Sequence, residues 1–212
     1  MALFPFPRAR LLVFAKAPEA GRVLRRLCPP LHPDRARLLH MRLTADTLRR
    51  LAADPPCPLR LYTAPGTDHP FFHRLGRRYG IPVRRQHGRD LGERLHGALS
   101  EVLNGGDRAL AVGTDLPDLR RDEVIHALGA LDRGRDAVFQ PVDDGGYGLV
   151  GLSRPQPGLF HGIPWGTGEV MASTRARCRD LGLDWEELPF GWDLDLPEDL
   201  ARLPSRIRLP AL

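Results

Sequence analysis

The stretch of residues 108–119, RALAVGTDLPDL, predicts a buried β-strand that ends at a candidate functional aspartate. Its first five residues alternate and are apolar enough to lie inside a sheet. Pro117 prevents further strand pairing, so Asp115 follows where the strand ends. Ligands of open α/β sheets bind beyond the carboxyl ends of strands, and aspartate oxygens there suit a divalent cation. A turn or a helix N-cap is the alternative role of Asp115, and Asp118 and Asp122 fit that role equally.

Apolar runs elsewhere predict further strands, which are separated by helices. Residues 10–15 (RLLVFA) form a continuous apolar run, which is typical of a strand covered on both faces of a parallel sheet. The pair Asp144-Gly145 predicts a hairpin turn before residues 147–152, which requires at least one antiparallel strand. The sequence therefore predicts an α/β fold with a mixed, mainly parallel sheet in a single domain, residues 1–212.

Two aspartates predict the starts of helices. Asp34 precedes apolar residues at three- and four-residue steps, and we expect it to cap a helix that ends near Ala53. Asp90 and Glu93 match a D-x-x-E capping box. Because Asp90 also follows a predicted strand end, it is a candidate binding residue as well as a cap.

The loop after the first predicted strand reads KAPEAGRVLRRLCPPL and is rich in cations. Lys16 is the only lysine among the 31 basic residues of the chain. Glycine permits close backbone approach to a phosphate, and forked or point cations neutralise its charge. The loop matches neither the P-loop nor the dinucleotide-binding motif, and a solvated surface loop is the alternative. Its candidate phosphate-binding residues are Lys16, Gly21, Arg22, Arg25 and Arg26.

Composition argues against several classes of protein. Hydrophobic residues make up 42% of the chain, and no apolar run approaches the length of a membrane span. The amino-terminal residues lack a cationic leader, so we expect a cytoplasmic protein. Cys28, Cys57 and Cys178 are far apart and odd in number, which favours neither disulfides nor a zinc site. The net charge is +5, but the arginines are scattered without aromatic interleaving, so we expect no nucleic-acid partner.

Acidic residues follow predicted strand ends at two places that are far apart in the sequence. Asp115 is one of them, and Asp193 with Asp195 is the other. Two carboxylates together with phosphate oxygens suit Mg²⁺ or Mn²⁺, which stabilises the charge of a phosphate leaving group. Covalent nucleophilic catalysis is not supported, because no Ser-His-Asp or Cys-His pattern is recognisable. The residues therefore predict metal-assisted transfer from a nucleotide-activated donor.

Six segments along nearly the whole chain resemble bacterial glycosyltransferase-like proteins of the selenodomain-associated transferase type. They are LLVFAKAPEAGRVLRRL, QHGRDLGERLHGAL, GTDLPDL, PVDDGGYGLVGL, IPWGTGEV and WDLDLPEDL. That family belongs to the nucleotide-diphospho-sugar transferase (GT-A) superfamily. The resemblance implies a Rossmann-like GT-A fold with three α/β/α layers and a mixed, mainly parallel sheet.

The resemblance also implies roles for single residues. Asp115 and Asp195 correspond to metal ligands, and Asp195 is preferred to Asp193. We expect Asp115 and Lys16 to serve catalysis, with Asp115 acting as a metal ligand and not as acid, base or nucleophile. The predicted nucleotide-binding residues are Lys16, Gly21, Arg22, Arg25, Arg26, Gly113 and Thr114. The predicted acceptor-binding residues are Asp90, Asp144, Gly145, Gly146, Tyr147 and Trp165.

The chain departs from the family pattern at two sites. Leu24 stands where the family has a lysine, with Arg25 in place of the next threonine, so one phosphate contact is in doubt. Gly148 stands in place of an aromatic residue, and we expect this glycine to widen the acceptor pocket.

Three functions remain open at the level of sequence. The leading hypothesis is metal-dependent glycosyl transfer from a nucleotide-sugar, with Mg²⁺ or Mn²⁺ as cofactor and an acceptor that the sequence does not identify. The second is nucleotidyl transfer from a nucleoside triphosphate to a phosphorylated acceptor, with release of pyrophosphate. The third is nucleotide binding without turnover.

Overall fold

The computed structural model describes residues 4–207, in which strands and helices alternate. The strands are β1 (Ala9–Lys16), β2 (Leu59–Ala64), β3 (Val83–Arg85), β4 (Arg108–Val112), β5 (Ala137–Pro141), β6 (Tyr147–Leu152) and β7 (Trp185–Glu187). The α-helices are α1 (Pro33–Ala53), α2 (Pro70–Tyr79), α3 (Leu91–Leu103), α4 (Arg121–Asp132) and α5 (Val170–Asp180). Short 3-10 helices span Arg25–Leu27 and Pro197–Arg202. Within this part of the chain, no helix has the length and apolar character needed to cross a membrane.

The seven described strands form one sheet in the order β3-β2-β1-β4-β6-β5-β7. Strand β6 runs antiparallel to both β4 and β5, and the remaining neighbours are parallel. Gly145 adopts a positive φ of 81° in the turn between β5 and β6, a conformation that favours glycine. The predicted mixed, mainly parallel sheet and the predicted hairpin are therefore confirmed.

Alternation along the strands fills two hydrophobic layers, one on each face of the sheet. In β1, Leu11 and Val13 pack in a cluster that contains the buried faces of α1, α2 and α4. Leu12 points to the opposite face, where it packs with residues of α3 and α5. Full burial of such a leucine contributes roughly 1.5–3 kcal/mol, so both faces must be covered. These layers confirm the three-layer α/β/α architecture.

The helix starts only partly match the predictions. The prediction that Asp34 caps α1 was wrong, because the cap is His32, whose Nδ1 accepts the Asp34 N–H at 3.3 Å. Proline at the first helical position explains this start, since proline lacks the N–H that would remain unpaired there. Asp90 caps α3 as predicted and accepts the Glu93 N–H at 2.8 Å. The Glu93 carboxylate bonds to the N–H of Arg89 at 2.8 Å, one residue before the cap.

Candidate active site

A cleft of about 480 Å³ lies at the carboxyl ends of β1 and β4. These two strands are parallel neighbours, so Lys16 at the end of β1 and Asp115 after β4 reach the same edge of the sheet. The turn after β5 adds Asp144, and the segment before the last 3-10 helix adds Asp193. Parallel strand ends are the usual position of ligand sites in α/β sheets. A cleft therefore lies at the predicted strand ends, and its function remains a prediction.

Three carboxylates gather beside the end of β4. Asp144, Asp193 and Asp195 each offer one oxygen, and these oxygens lie within 4.8 Å of one another. Asp193 and Asp195 are two positions apart, so in an extended segment their side chains share a face, opposite the buried Leu194. The Leu194 N–H donates to the carbonyl of Asp115 at 2.9 Å, which holds this segment against the end of β4. Hard divalent cations prefer such oxygen ligands, so the donor set fits Mg²⁺ or Mn²⁺.

Burial, together with nearby negative charge, raises the pKa values of Asp115, Asp193 and Asp195. Burial raises the pKa of Asp193 to about 7, and the charges of Asp144, Asp115 and Asp195 add to the rise. Solvent reaches Asp115 through the cleft, yet surrounding protein desolvates its carboxylate and raises its pKa. Desolvation also raises the pKa of Asp195, although Arg26 opposes this shift. A divalent cation would offset the mutual repulsion of these negative charges.

Asp115 depends on small neighbours for its position. A β-carbon added at Gly113 would lie 2.4 Å from Oδ1 of Asp115, so a larger residue there would force this carboxylate to turn from its present position. Thr114 is buried, and its hydroxyl lies 3.4 Å from the hydroxyl of Thr44 in α1. The backbone before Asp115 is therefore packed against α1 as well as against the sheet.

The turn that follows Asp115 is held by arginines that converge on Asp46 in α1. Asp46 accepts hydrogen bonds from Arg49 at 2.7 Å, Arg50 at 2.8 Å and Arg206 at 3.1 Å. Arg50 and Arg206 also donate to backbone carbonyls of residues 116–119. Burial alone would raise the pKa of Asp46, but the three arginines lower it below its usual range. Asp46 therefore stabilises the turn through its arginine partners.

Lys16 and the loop after it form the cationic side of the cleft. The Lys16 side chain is exposed to the cleft, and its carbonyl accepts a hydrogen bond from Nε2 of His40 at 2.9 Å. Burial lowers the pKa of His40. A neutral imidazole donates its one N–H here, which fixes the end of β1 to α1.

The predicted nucleotide-binding residues lie at two distances from the cleft. Lys16, Gly113 and Thr114 line it. Gly21, with a φ of 73°, lies further out on the loop. The remaining residues are exposed: Arg22 pairs with Glu19 at 3.2 Å, Arg25 faces solvent, and Arg26 forms an ion pair with Asp195. Their nucleotide-binding roles remain predictions.

The predicted acceptor-binding residues are only partly brought together. Asp144, Gly146, Tyr147 and Trp165 line the cleft. A β-carbon at Gly145 would lie 2.2 Å from the carbonyl oxygen of Gly168, so Gly145 supports the turn by close backbone packing. Asp90 lies outside the set of lining residues, and its carboxylate is occupied in capping α3.

The expectation that Gly148 widens the pocket was wrong. A β-carbon at this position would lie 2.3 Å from the side chain of Leu116, which fills the space. Leu116 belongs to the turn after Asp115 and is buried. The glycine therefore allows β6 to pack against that turn.

The sequence hypothesis missed part of the acidic cluster. It preferred Asp195 over Asp193 and assigned Asp144 to the acceptor, whereas these three carboxylates lie together. The two-residue spacing in WDLDL was a usable signal, since it places both aspartates on one face of an extended chain. The position of Asp144 depends on the order of β4, β6 and β5, which no local pattern indicates.

Comparison with solved structures places the fold in a known class. A candidate nucleotide-diphospho-sugar transferase from Desulfovibrio desulfuricans G20 is 32% identical, with a TM-score of 0.80, and the match covers 90% of this chain and 84% of that chain. CMP:2-keto-3-deoxy-manno-octonic acid synthetase, complexed with CTP, is 12% identical with a TM-score of 0.58, covering 92% and 96%. Glucosyl-3-phosphoglycerate synthase from Mycobacterium tuberculosis, in complex with Mn²⁺ and UDP, is 15% identical with a TM-score of 0.54, covering 92% and 75%. The fold is therefore that of the nucleotide-diphospho-sugar transferases and related cytidylyltransferases.

A family comparison gives the particular group within this class. The profile described as "Uncharacterized protein conserved in bacteria (DUF2064)" matches residues 47–167, which is more than half of the chain. The chain belongs to this bacterial family. Comparison with curated proteins returned no match.

Proposed function

We propose that this protein is a metal-dependent transferase that acts on a nucleotide-activated donor, with glycosyl transfer from a nucleotide-sugar as its reaction. One observation carries the proposal: Lys16 and the carboxylates of Asp115, Asp144 and Asp193 line the same cleft at the strand ends. Cations on one side suit the donor's phosphates, and carboxylates on the other suit the metal that accompanies them. The similarity to the D. desulfuricans protein supports the same class of donor.

Asp144, Asp193 and Asp195 would hold the metal. Asp115 is the fourth candidate ligand, because its charge acts on the carboxylate of Asp193 from the end of β4. A bound Mg²⁺ or Mn²⁺ supplies charge stabilisation to the diphosphate leaving group. Lys16 contributes a point charge to the same phosphates from the β1 side. The exposed arginines of the loop extend this positive field, so the donor is oriented with its phosphates between the two sides.

The acceptor, meaning the molecule that receives the transferred group, would bind beside Tyr147 and Trp165. These residues follow Asp144 in the hairpin and in the loop before α5, and both line the cleft. An acceptor there would lie next to the carboxylates and the donor. The cytoplasmic location, the single-domain organisation and the selenodomain-associated subtype remain predictions from the sequence.

A thermal-shift panel tests the proposal. Nucleoside triphosphates and nucleotide-sugars are each tested with and without Mg²⁺ or Mn²⁺. A ligand at 100 times its Kd stabilises the folded protein by roughly 2.7 kcal/mol, which raises the Tm by about 5–10 °C at this chain length. Asp115→Asn should lose the metal-dependent shift, and Asp118→Asn in the same motif, where the side chain is exposed, should keep it.

The released product identifies the reaction. A nucleoside diphosphate indicates glycosyl transfer, whereas pyrophosphate from a nucleoside triphosphate indicates nucleotidyl transfer. A metal-dependent shift without product under any acceptor condition indicates nucleotide binding without turnover. Absence of a shift with every ligand and metal would refute the proposed function.

A further inference from the structure

Part of the cleft wall is apolar. This apolar wall is formed by residues of β1, α3, β6 and the loop before α5. Tyr147 is partly exposed, but its hydroxyl is buried, so the ring is the part that reaches the cleft. The main apolar lining residues are Phe14, Leu91, Leu95, Tyr147, Val150 and Trp165.

The position of Trp165 in this apolar wall is fixed by its neighbours. A β-carbon added at Gly92 in α3 would lie 2.5 Å from Nε1 of Trp165, so the indole packs directly on the helix backbone. The Trp165 ring also contacts the rings of Tyr147 at 6.1 Å and Phe160 at 6.5 Å between centroids. Aromatic packing of this kind holds a flat surface with little conformational freedom.

A cation, Arg94, lines the cleft from the same face of α3 as Leu91 and Leu95. Its Nε donates to the carbonyl of Gly88 at 3.0 Å, which orients the guanidinium. Within residues 4–207 no carboxylate forms an ion pair with Arg94. Its neighbour Arg89 pairs instead with Glu93 at 2.6 Å. The terminal N–H groups of Arg94 therefore lack a protein acceptor in the described part of the chain.

The Asp90 carboxylate does not pair with Arg94, so the guanidinium group is available to bind a ligand. Asp90 lies one helical turn before Arg94, but its Oδ1 accepts the N–H of Glu93 at 2.8 Å. A carboxylate held in this way stabilises the start of the helix and does not form a bidentate ion pair with the arginine. An oriented guanidinium without such a partner is suited to bind a planar or tetrahedral anion through two N–H groups.

We propose that the acceptor of this enzyme carries an apolar body and an anionic group, a carboxylate or a phosphate, which binds Arg94. This proposal rests on the proposed function, because it assigns the acceptor of that reaction. The aromatic rings of Tyr147 and Trp165 contact the apolar body, and the guanidinium group of Arg94 binds the anion. Repulsion from Asp144 and Asp193, which line the same cleft, disfavours binding of the anion beside those carboxylates. Arg94 is thus a specificity-determining residue.

Three probes of similar size test this assignment: benzoate, phenyl phosphate and the uncharged benzyl alcohol. Binding is measured by quenching of tryptophan fluorescence, and Trp165→Phe identifies the part of the signal that arises in the cleft. The wild-type protein should bind at least one of the two anions about 10- to 100-fold more tightly than the alcohol. The better of the two anions then distinguishes a carboxylate acceptor from a phosphate acceptor.

Matched variants distinguish the specific effect of Arg94 from the effect of positive surface charge in general. Arg94→Gln should abolish the preference for the anion, and Arg94→Lys should retain part of it, because lysine keeps the charge but not the fork. Arg89→Gln removes a cation of the same helix start that is paired with Glu93, and it should keep the full preference. Gly92→Ala should weaken the binding of all three probes to the same extent, because the added methyl group displaces Trp165.

The outcomes distinguish this proposal from the proposed function. Equal binding of anions and alcohol, no binding of any probe, or an unchanged preference in Arg94→Gln would each overturn the assignment of the acceptor. Loss of the metal-dependent nucleotide shift in Arg94→Gln would also overturn it, since Arg94 would then bind the donor. A wild-type protein that shows no nucleotide shift refutes the proposed function itself, whatever the probes do.

Discussion

The cationic side of the cleft and its acidic side are built in different ways. The cationic side is one contiguous loop that begins at Lys16 and carries its arginines in the exposed segment that follows. Arg22 pairs locally with Glu19, three residues away, whereas Lys16 and Arg26 make long-range contacts with His40 and Asp195. The cationic residues themselves nevertheless come from one continuous segment of the chain.

The acidic side is assembled from three distant segments. Asp115 follows β4, Asp144 lies in the turn after β5, and Asp193 comes from the segment before the last 3-10 helix. The turn after Asp115 is held from α1 by the arginine partners of Asp46. A contiguous loop tolerates local change, whereas an assembled cluster depends on every segment that carries it. This difference predicts unequal responses to substitution.

The largest effect is expected from Asp46→Asn, which removes the support of the acidic side. The side chain is 8% exposed, and its loss leaves three arginines without their shared carboxylate. Among the arginines, Arg50 is the most buried, at 18% exposed, so we expect the low end of the range for breaking a buried ion pair, about 3 kcal/mol, which lowers the Tm by roughly 6–12 °C. The control is Asp34→Asn on the same helix, whose exposed pair with Arg37 contributes at most about 1 kcal/mol. Equal losses of unfolding free energy in the two variants would contradict the role of Asp46.

The second effect is the loss of a metal ligand from the acidic side. Asp193→Asn should weaken Mn²⁺ binding by at least about 100-fold, because even outer partners of metal ligands contribute 10- to 100-fold. Isothermal titration calorimetry with Mn²⁺ alone gives this value without nucleotide. Asp118→Asn is the control, since this exposed aspartate lies outside the cluster. Unchanged Mn²⁺ affinity in Asp193→Asn would remove Asp193 from the ligand set.

A smaller effect concerns Arg26, which links the two sides through its ion pair with Asp195. Arg26→Ala should tighten Mn²⁺ binding by about threefold without nucleotide, because a nearby positive charge opposes a cation at Asp195. The unfolding free energy should change by less than about 1 kcal/mol, since the Arg26 side chain is 62% exposed. Arg25→Ala, from the same short helix, should leave Mn²⁺ affinity unchanged. Identical Mn²⁺ affinities in the two variants would show that the pair has no influence on the metal.

A separate effect on the acidic side is a pH dependence of stability in the metal-free protein. The pKa of Asp193 is about 7 in the folded state against an ordinary value of 3.8, so the folded protein binds its proton more readily between these values. Stability from this group is therefore highest at low pH and falls as the pH rises from about 4 to 7. Urea unfolding in EDTA should give a smaller decline from pH 5 to pH 7.5 in Asp193→Asn than in the wild type. The same slope in both proteins would show that Asp193 does not titrate in this range.

The same contrast explains which features could be predicted from the sequence. The cap at Asp90 and the hairpin at Gly145 follow from patterns of two to four residues, and both are confirmed. The start of α1 was misplaced, because Pro33 permits an earlier first turn than Asp34 suggests. Gly148 was interpreted as open space, although Leu116, more than thirty residues earlier, fills it. The error at α1 was therefore local, whereas the error at Gly148 arose because its contact comes from a distant part of the chain.

The sequence by itself determined the alternation of strands and helices, the cationic loop after β1 and the position of Asp115 at a strand end. These features depend on periodicity and on turn residues, which act over a few neighbours. Only the tertiary structure decided that Asp144 joins Asp193 and Asp195, and that Asp46 supports the turn after Asp115. The physical reason is that these contacts require the strand order β1-β4-β6-β5. That order is fixed by packing of the whole sheet between its two helical layers and not by any local pattern.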